Sequence, residues 1–302
     1  MSYLCKIGKN YKRLNMILVT TATGHLGTAT IDQLLSKNVP ASEIAGLVRD
    51  EKKAADLVAR GISLRKGDYH DAASLQAAFQ GIDTLVFISS GSIHDRVAQH
   101  RNVVDAAKAA GVKSIIYTSV LKASENLKFI PAIDHYHTEN FLKESGIAYT
   151  FFRNTFYIEV LPGLLGGALQ NGQWYYAAGN GKANFAARAD MAEAIANVAI
   201  APAAHANKIY EIAGNHSYTF HQIADVISRV TGKTIQYIPV SADALKEGMK
   251  QAGVPEAYIP MYASIADGIS AGDLDSEDAT LEKLLQRKPA TLEAYLPKVL
   301  GV

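Results

Sequence analysis

Cysteine is almost missing from the chain. Cys5 is the only one in 302 residues, which excludes an intrachain disulfide framework and any metal site built on several thiolates. Long apolar runs are missing too: no stretch approaches the ~18 residues that a transmembrane helix needs. Nor does charge of one sign prevail. Thirty Lys and Arg face 29 Asp and Glu, a formal net of +1, so nothing draws the chain to nucleic acid or to an acidic membrane surface. The first fifteen residues, MSYLCKIGKNYKRLN, are basic and lack the apolar core of a signal peptide. What remains is 48% hydrophobic and 20% charged, an ordinary globular composition that suits a cytoplasmic protein.

Organisation begins at Met16, which opens the first strand directly and makes residues 1–15 an N-terminal extension. Short β-branched runs then recur: MILVT, IAGLVR (44–49), ISLRKGD (62–68), TLVFIS (84–89), SIIYTS (114–119) and AYTFFRN (148–154). Helix-length amphipathic segments separate them. In HLGTATIDQLLSK, Leu26, Ile31, Leu34 and Leu35 share one helical face. In VAQHRNVVDAAKAAGV, Val97, Val104 and Ala107 do the same, and Gly111 suits the position just past the helix end. Apolar strands joined by helical crossovers predict a parallel sheet covered on both faces, a doubly wound α/β (Rossmann) fold.

After residue 155 the rhythm breaks. YIEVLPGLLGGALQNG is apolar but interrupted by Pro162 and several glycines. A strand at KIYEIAG (208–214) precedes a helix with Thr219 as N-cap, and TIQYIPV (234–240) leads into further helices. The expectation is a Rossmann domain over 16–155 and a smaller mixed substrate domain over 156–302, with some segments returning to the Rossmann sheet.

The stretch MILVTTATGHLG carries the first chemical signal. A strand, a turn and a helix with Gly24 and Gly27 can bring backbone close to a pyrophosphate and aim helix N–H groups at it. Three residues before Gly24, where such a loop normally has a first glycine, stands Thr21. A positive φ there would cost about 1 kcal/mol; a negative φ would free the Thr21 hydroxyl to contact phosphate or ribose. The second strand ends in Arg49, whose guanidinium can fork onto a 2′-phosphate and so argues for NADP; Asp50 beside it keeps NAD open as the less favoured cofactor. Asp68 and Tyr69, and Ser89 and Ser90, end the third and fourth strands, where ligands of this fold lie.

TTATGHLG, GLVRD, KGDYHD, IIYTSVLKA, YTFFRNTFY and AAGNGKANFAARADMAEAIA, in this order and spacing, resemble the NmrA-like branch of atypical short-chain dehydrogenases. The resemblance runs from about Met16 to the C-terminus and is nearest the type 2 NAD(P)H-dependent quinone oxidoreductases and the triphenylmethane reductases. It implies NADPH as cofactor and reduction of quinones or dye-like electrophiles. It places Thr23, Gly24, His25, Leu26, Gly27 and Arg49 on the cofactor, and Arg153, Asn154 and Tyr157 beside the nicotinamide. Thr21 departs from the family's glycine.

Ketone-reducing short-chain dehydrogenases use Tyr-x-x-x-Lys, the tyrosine giving the proton as hydride arrives. Counting back from Gly146 through PAIDHYHTENFLKESG, the lysine place falls on His135 and the tyrosine place on Pro131. A quinone needs no such acid, because solvent can protonate a delocalised hydroquinone anion. His135 and His137 remain candidates to donate a proton or to hydrogen-bond a quinone oxygen. No metal is expected from this pair, since i and i+2 on a helix point apart. Phe156 and Tyr157 are expected past the strand end, placed to sandwich a flat ring. A second function class stays open: an NADP-sensing regulatory protein with a protein partner and no turnover, which the absent Tyr-x-x-x-Lys also fits. A sugar-nucleotide epimerase needs the tyrosine and ranks below both.

Overall fold

The computed structural model describes residues 15–302, so Cys5 and most of the expected N-terminal extension lie outside the described residues. The six apolar runs become β1 (Ile17–Val19), β2 (Ile44–Val48), β3 (Ser63–Lys66), β4 (Thr84–Phe87), β5 (Ser114–Val120) and β6 (Ala148–Asn154). The second half of the chain adds β7 (Phe156–Tyr157), β8 (Gln173–Tyr176), β9 (Lys182–Ala186), β10 (Lys208–Ile212), β11 (Ser217–Thr219) and β12 (Gln236–Pro239). Seven of these form one parallel sheet in the order β10-β6-β5-β4-β1-β2-β3. The chain order reverses between β1 and β4, and ligands of open α/β sheets bind in the crevice at such a point.

Helices cover both faces. In chain order they are α1 (His25–Ser36), α2 (Ala55–Ala59), α3 (Ala72–Ala78), α4 (Arg96–Ala109), α5 (Pro131–Ser145), α6 (Leu161–Leu164), α7 (Ala168–Asn171) and α8 (Arg188–Ile200). They continue as α9 (Phe220–Thr231), α10 (Ala242–Gln251), α11 (Ile259–Ala271), α12 (Thr280–Leu285) and α13 (Leu292–Leu300). One apolar layer holds Ile31 and Leu34 of α1 with Met191 and Ile195 of α8 against Val19 and Val86. The opposite layer joins Leu75 of α3, Val103 and Ala107 of α4 and Leu142 of α5 to Leu18, Phe87 and Tyr117. Residues of β1, β2, β4 and β5 are buried throughout, while β3 at the sheet edge is partly exposed. That contrast is what a doubly covered parallel sheet requires.

The second half of the chain has its own core around Trp174, Tyr176, Phe220 and Tyr237, with two small sheets, β11-β9-β7 and β12-β8. It also contributes to the main sheet. β10 extends that sheet beyond β6, and α8 packs on α1. Helix α9 is capped by Thr219, as expected, and the hydroxyl of Thr219 accepts from the Gln222 N–H while the Gln222 side chain accepts from the Thr219 N–H, a reciprocal cap. No described helix is long and apolar enough to cross a membrane.

Two expectations change. Phe156 and Tyr157 do not form a slot. As consecutive residues of β7 they point to opposite faces, Phe156 into the second core edge-on to Phe129 at 5.5 Å and Tyr157 toward the first beneath the Arg188 guanidinium at 4.9 Å. On α4, Val97 is only half-buried, whereas Arg96, Gln99 and His100 join Val103 and Val104 among the buried residues.

Candidate dinucleotide-binding site

The turn after β1 answers the question raised by Thr21. Its φ is +46°, so the left-handed conformation that favours glycine is imposed on a β-branched residue at about 1 kcal/mol or more. The surrounding geometry holds it there. The Gly24 N–H donates to the Thr21 carbonyl at 2.8 Å, and the Thr28 hydroxyl donates to the Ala22 carbonyl at 3.0 Å. A Cβ on Gly27 would lie 2.3 Å from the Thr21 oxygen, so α1 rests directly on the turn. Gly24 is the N-cap of α1 and no side chain caps it, which leaves the first N–H groups of the helix available to an anion.

Beside this turn, at the carboxyl edge of the sheet, is a cavity of about 760 Å³. Of the residues expected on the cofactor, Thr21, Thr23, Gly24, Arg49, Asp68 and Ser90 line it. Leu26 and Gly27 are buried behind the turn, and His25 is exposed at the start of α1. Ser89 is tied instead to β5, its N–H donating to the Thr118 hydroxyl at 2.9 Å. Tyr69 reaches the lining from a buried position. Its hydroxyl lies 2.6 Å from Thr20 Oγ1 and 2.8 Å from the Ile88 carbonyl, which locks the ends of β1 and β4 together.

Arg49 is exposed at the cavity rim and makes no hydrogen bond or ion pair with any described residue. Asp50 is otherwise engaged: its carboxylate accepts from the Lys52 N–H at 3.0 Å and caps the turn after β2. An uncommitted guanidinium beside an occupied carboxylate favours a phosphate over a ribose hydroxyl at this corner.

A cluster on the opposite wall has no local signature in the sequence. His70 Nδ1 lies 3.0 Å from Asp68 and its Nε2 2.6 Å from Asp95. Asp95 also accepts from the Ser92 hydroxyl, and from the Gln99 amide at 2.7 Å. The Ser92 and Gln99 bonds, ahead of His70, hold the Asp95 carboxyl at about 2; Asp68 and Asp95 in turn raise His70. Behind this wall, the Ser90 N–H donates to His100 Nε2 at 2.9 Å. Thr138 Oγ1 donates to the Asp134 carbonyl, so it accepts from His100 Nδ1–H at 2.8 Å. His100 is therefore neutral with one defined tautomer, and burial pushes its pKa well below the ordinary value.

The residues expected beside the nicotinamide lie outside this cavity. Arg153 is a strut: it forms a two-pronged ion pair with fully buried Glu139 at 2.8 and 2.7 Å and reaches Glu211 at 2.9 Å. His135 Nδ1 lies 2.7 Å from the Tyr117 hydroxyl, and burial lowers its pKa to about 3, so it is no source of protons at neutral pH. His137 is half-buried on α5 against Tyr136. Burial raises Tyr157, with the Arg188 charge opposing. Asn154 is different. It is 4% exposed at the carboxyl end of β6, and its side-chain amide makes no hydrogen bond of ordinary geometry but sits against the Tyr157 hydroxyl, whose pKa it lowers. A buried amide satisfied this poorly has capacity left for a ligand.

Comparison with known proteins agrees with this geometry. The model of the NmrA-like family matches residues 14–296. Quinone oxidoreductase 2 of Escherichia coli is 42% identical over 287 residues, covering 95% of this chain and 99% of that protein. A crystal structure of the Escherichia coli NADPH-dependent quinone oxidoreductase QOR2 complexed with NADPH superposes with a TM-score of 0.90 at 41% identity, over 94% of this chain and 100% of the other. Citrobacter triphenylmethane reductase complexed with NADP(H) gives 0.87 at 37% identity, over 94% and 99%. With its glycine turn, its switch-point crevice and its full-length match in view, the chain belongs to the NmrA-like family.

Proposed function

We propose that the chain binds NADPH in the cavity beside the β1 turn and reduces quinones or comparable flat electrophiles. One observation carries the cofactor choice: Arg49 lines the cavity rim with no hydrogen bond or ion pair to any described residue, while Asp50 is engaged in a cap. The residues present fit the dinucleotide. The uncapped start of α1 and the Gly24 backbone would take the pyrophosphate, Arg49 the 2′-phosphate, and the poorly satisfied Asn154 amide a hydrogen-bonding partner at the carboxyl end of β6. When bound, NADPH supplies a hydride.

The chain's own part is to position and to exclude water. Tyr69 fixes the β1 and β4 ends, and His100 fixes Ser90. Neither residue at the Tyr-x-x-x-Lys places is tuned to deliver a proton: His135 is held neutral and Pro131 occupies the tyrosine place. That suits a quinone, whose reduced oxyanion is delocalised and takes its proton from water. Alignment of donor and acceptor is then the main contribution, worth several kcal/mol in general. The relatives' activities on quinones and triphenylmethane dyes support this acceptor class.

The test is Arg49→Ala. Removing the guanidinium should weaken NADPH about tenfold or more while NADH changes much less, the loss of one charge-assisted phosphate contact. Equal effects on the two cofactors would overturn the assignment of the 2′-phosphate to this corner.

A further inference from the structure

The cavity holds more charge than a dinucleotide site needs. Asp68 and Asp95 both line it, together with Arg49, and Arg49 is near enough for its charge to act on Asp68. Two carboxylates beside a dianionic phosphate would repel it. Between them stands His70, with Nδ1 on Asp68 at 3.0 Å and Nε2 on Asp95 at 2.6 Å. A ring nitrogen that faces a carboxylate must carry a proton to make a hydrogen bond. Both face one, and at Nε2 the Asp95 carboxylate, at 2.6 Å, is nearer than the Gln99 amide nitrogen, at 3.0 Å, so the ring is an imidazolium. Counting Arg49 and His70 against Asp68 and Asp95, this wall is neutral overall; with His70 uncharged it is −1.

We propose that His70 is a specificity-determining residue: as an imidazolium it cancels Asp68 and Asp95 and lets the cavity accept the 2′-phosphate of NADPH. The inference rests on the NADPH reading above. The other groups in reach do not replace His70. Ser92 and Gln99 are neutral donors to Asp95. His94 lines the cavity but packs on Tyr258, ring centroids 6.0 Å apart. Arg96 at the start of α4 is turned away, bonded to the Ser90 carbonyl and to Asp134, each at 3.0 Å.

The experiment is calorimetric titration of the full chain with NADPH and with NADH, read as the ratio of the two dissociation constants. His70→Gln keeps a polar side chain and loses the charge. It should lower the NADPH preference about three- to tenfold, an effect that shrinks as salt is raised. Asp95→Asn should move the ratio the other way. In the wild type the preference should fall as pH rises through the His70 titration, because the imidazolium is lost. The 2′-phosphate is dianionic above about pH 7 and adds no opposing change there. His70→Gln should lose that slope, and it retains His94 as a control. Equal weakening of both cofactors in His70→Gln would make the residue a structural tie and overturn the proposal; so would a lower NADPH preference in Asp95→Asn. Arg49→Ala separates two kinds of failure. A ratio that ignores Arg49 removes the NADPH reading itself, whereas a ratio that follows Arg49 but ignores His70 removes only the role given to His70.

Discussion

Gly27→Ala tests whether the β1 turn and α1 are one rigid unit. An added Cβ would stand 2.3 Å from the Thr21 carbonyl oxygen, 2.9 Å from its carbonyl carbon and 3.0 Å from Ala22 Cα. All three are backbone atoms, so no side chain can swing away. Either α1 or the turn must retreat by about 1 Å to restore ordinary contact. Overpacking of this kind costs about 1–3 kcal/mol, and the better helix propensity of alanine returns at most ~1 kcal/mol. The net expectation is a loss of about 1–2 kcal/mol, or roughly 2–3 °C in the thermal midpoint of a chain this long. Because the displaced element is the helix end that faces the pyrophosphate, NADPH affinity should drop as well, by several-fold. Thermal melts with and without NADPH measure both effects. A Gly27→Ala protein that melts with the parent and binds NADPH equally well would refute the close packing of α1 on the turn.

Asn154→Ala separates function from stability. The side chain has only a weak contact with the Tyr157 hydroxyl to lose, so denaturant unfolding should stay within about 1 kcal/mol of the parent, while NADPH-dependent turnover falls about tenfold. A full loss of stability with unchanged turnover would contradict the ligand role. Acid should destabilise the fold through its buried histidines. His135 and His100 are held neutral in the native state and protonate on unfolding, so between about pH 6.5 and the native value near 3 for His135 the unfolded chain binds more protons. Stability therefore falls as pH falls, by about 2 kcal/mol per histidine from pH 6.5 to 5. His135→Gln should reduce that slope by one proton in unfolding curves taken across this range, and an unchanged slope would show that His135 titrates freely.

The sheet was legible because its central strands are continuous apolar runs with helix-length spacing between them, a pattern set by burial on both faces. The glycine turn and Arg49 were legible for the same local reason: a strand, a turn and a helix lie consecutively in the chain. β8 and β9 were not, being short segments flanked by glycines, and their pairing with β12, β7 and β11 joins distant parts of the chain. The polar buried face of α4 was missed because Arg96, Gln99 and His100 break the apolar periodicity that marks a helix face. The His70 cluster joins the loop after β3 to the start of α4, 25 residues apart, and no local pattern announces it. The place of Arg153 at a strand end is local and legible, whereas its ion pairs with Glu139 and Glu211 are tertiary and have no local signature.

The most direct test of the account mixes purified protein with NADPH or NADH and 1,4-benzoquinone and follows the near-ultraviolet absorbance of the reduced cofactor. The account predicts saturable, quinone-dependent oxidation with NADPH preferred over NADH. Tight NADPH binding with no oxidation by any quinone would contradict it and would point instead to a cofactor-responsive protein without turnover.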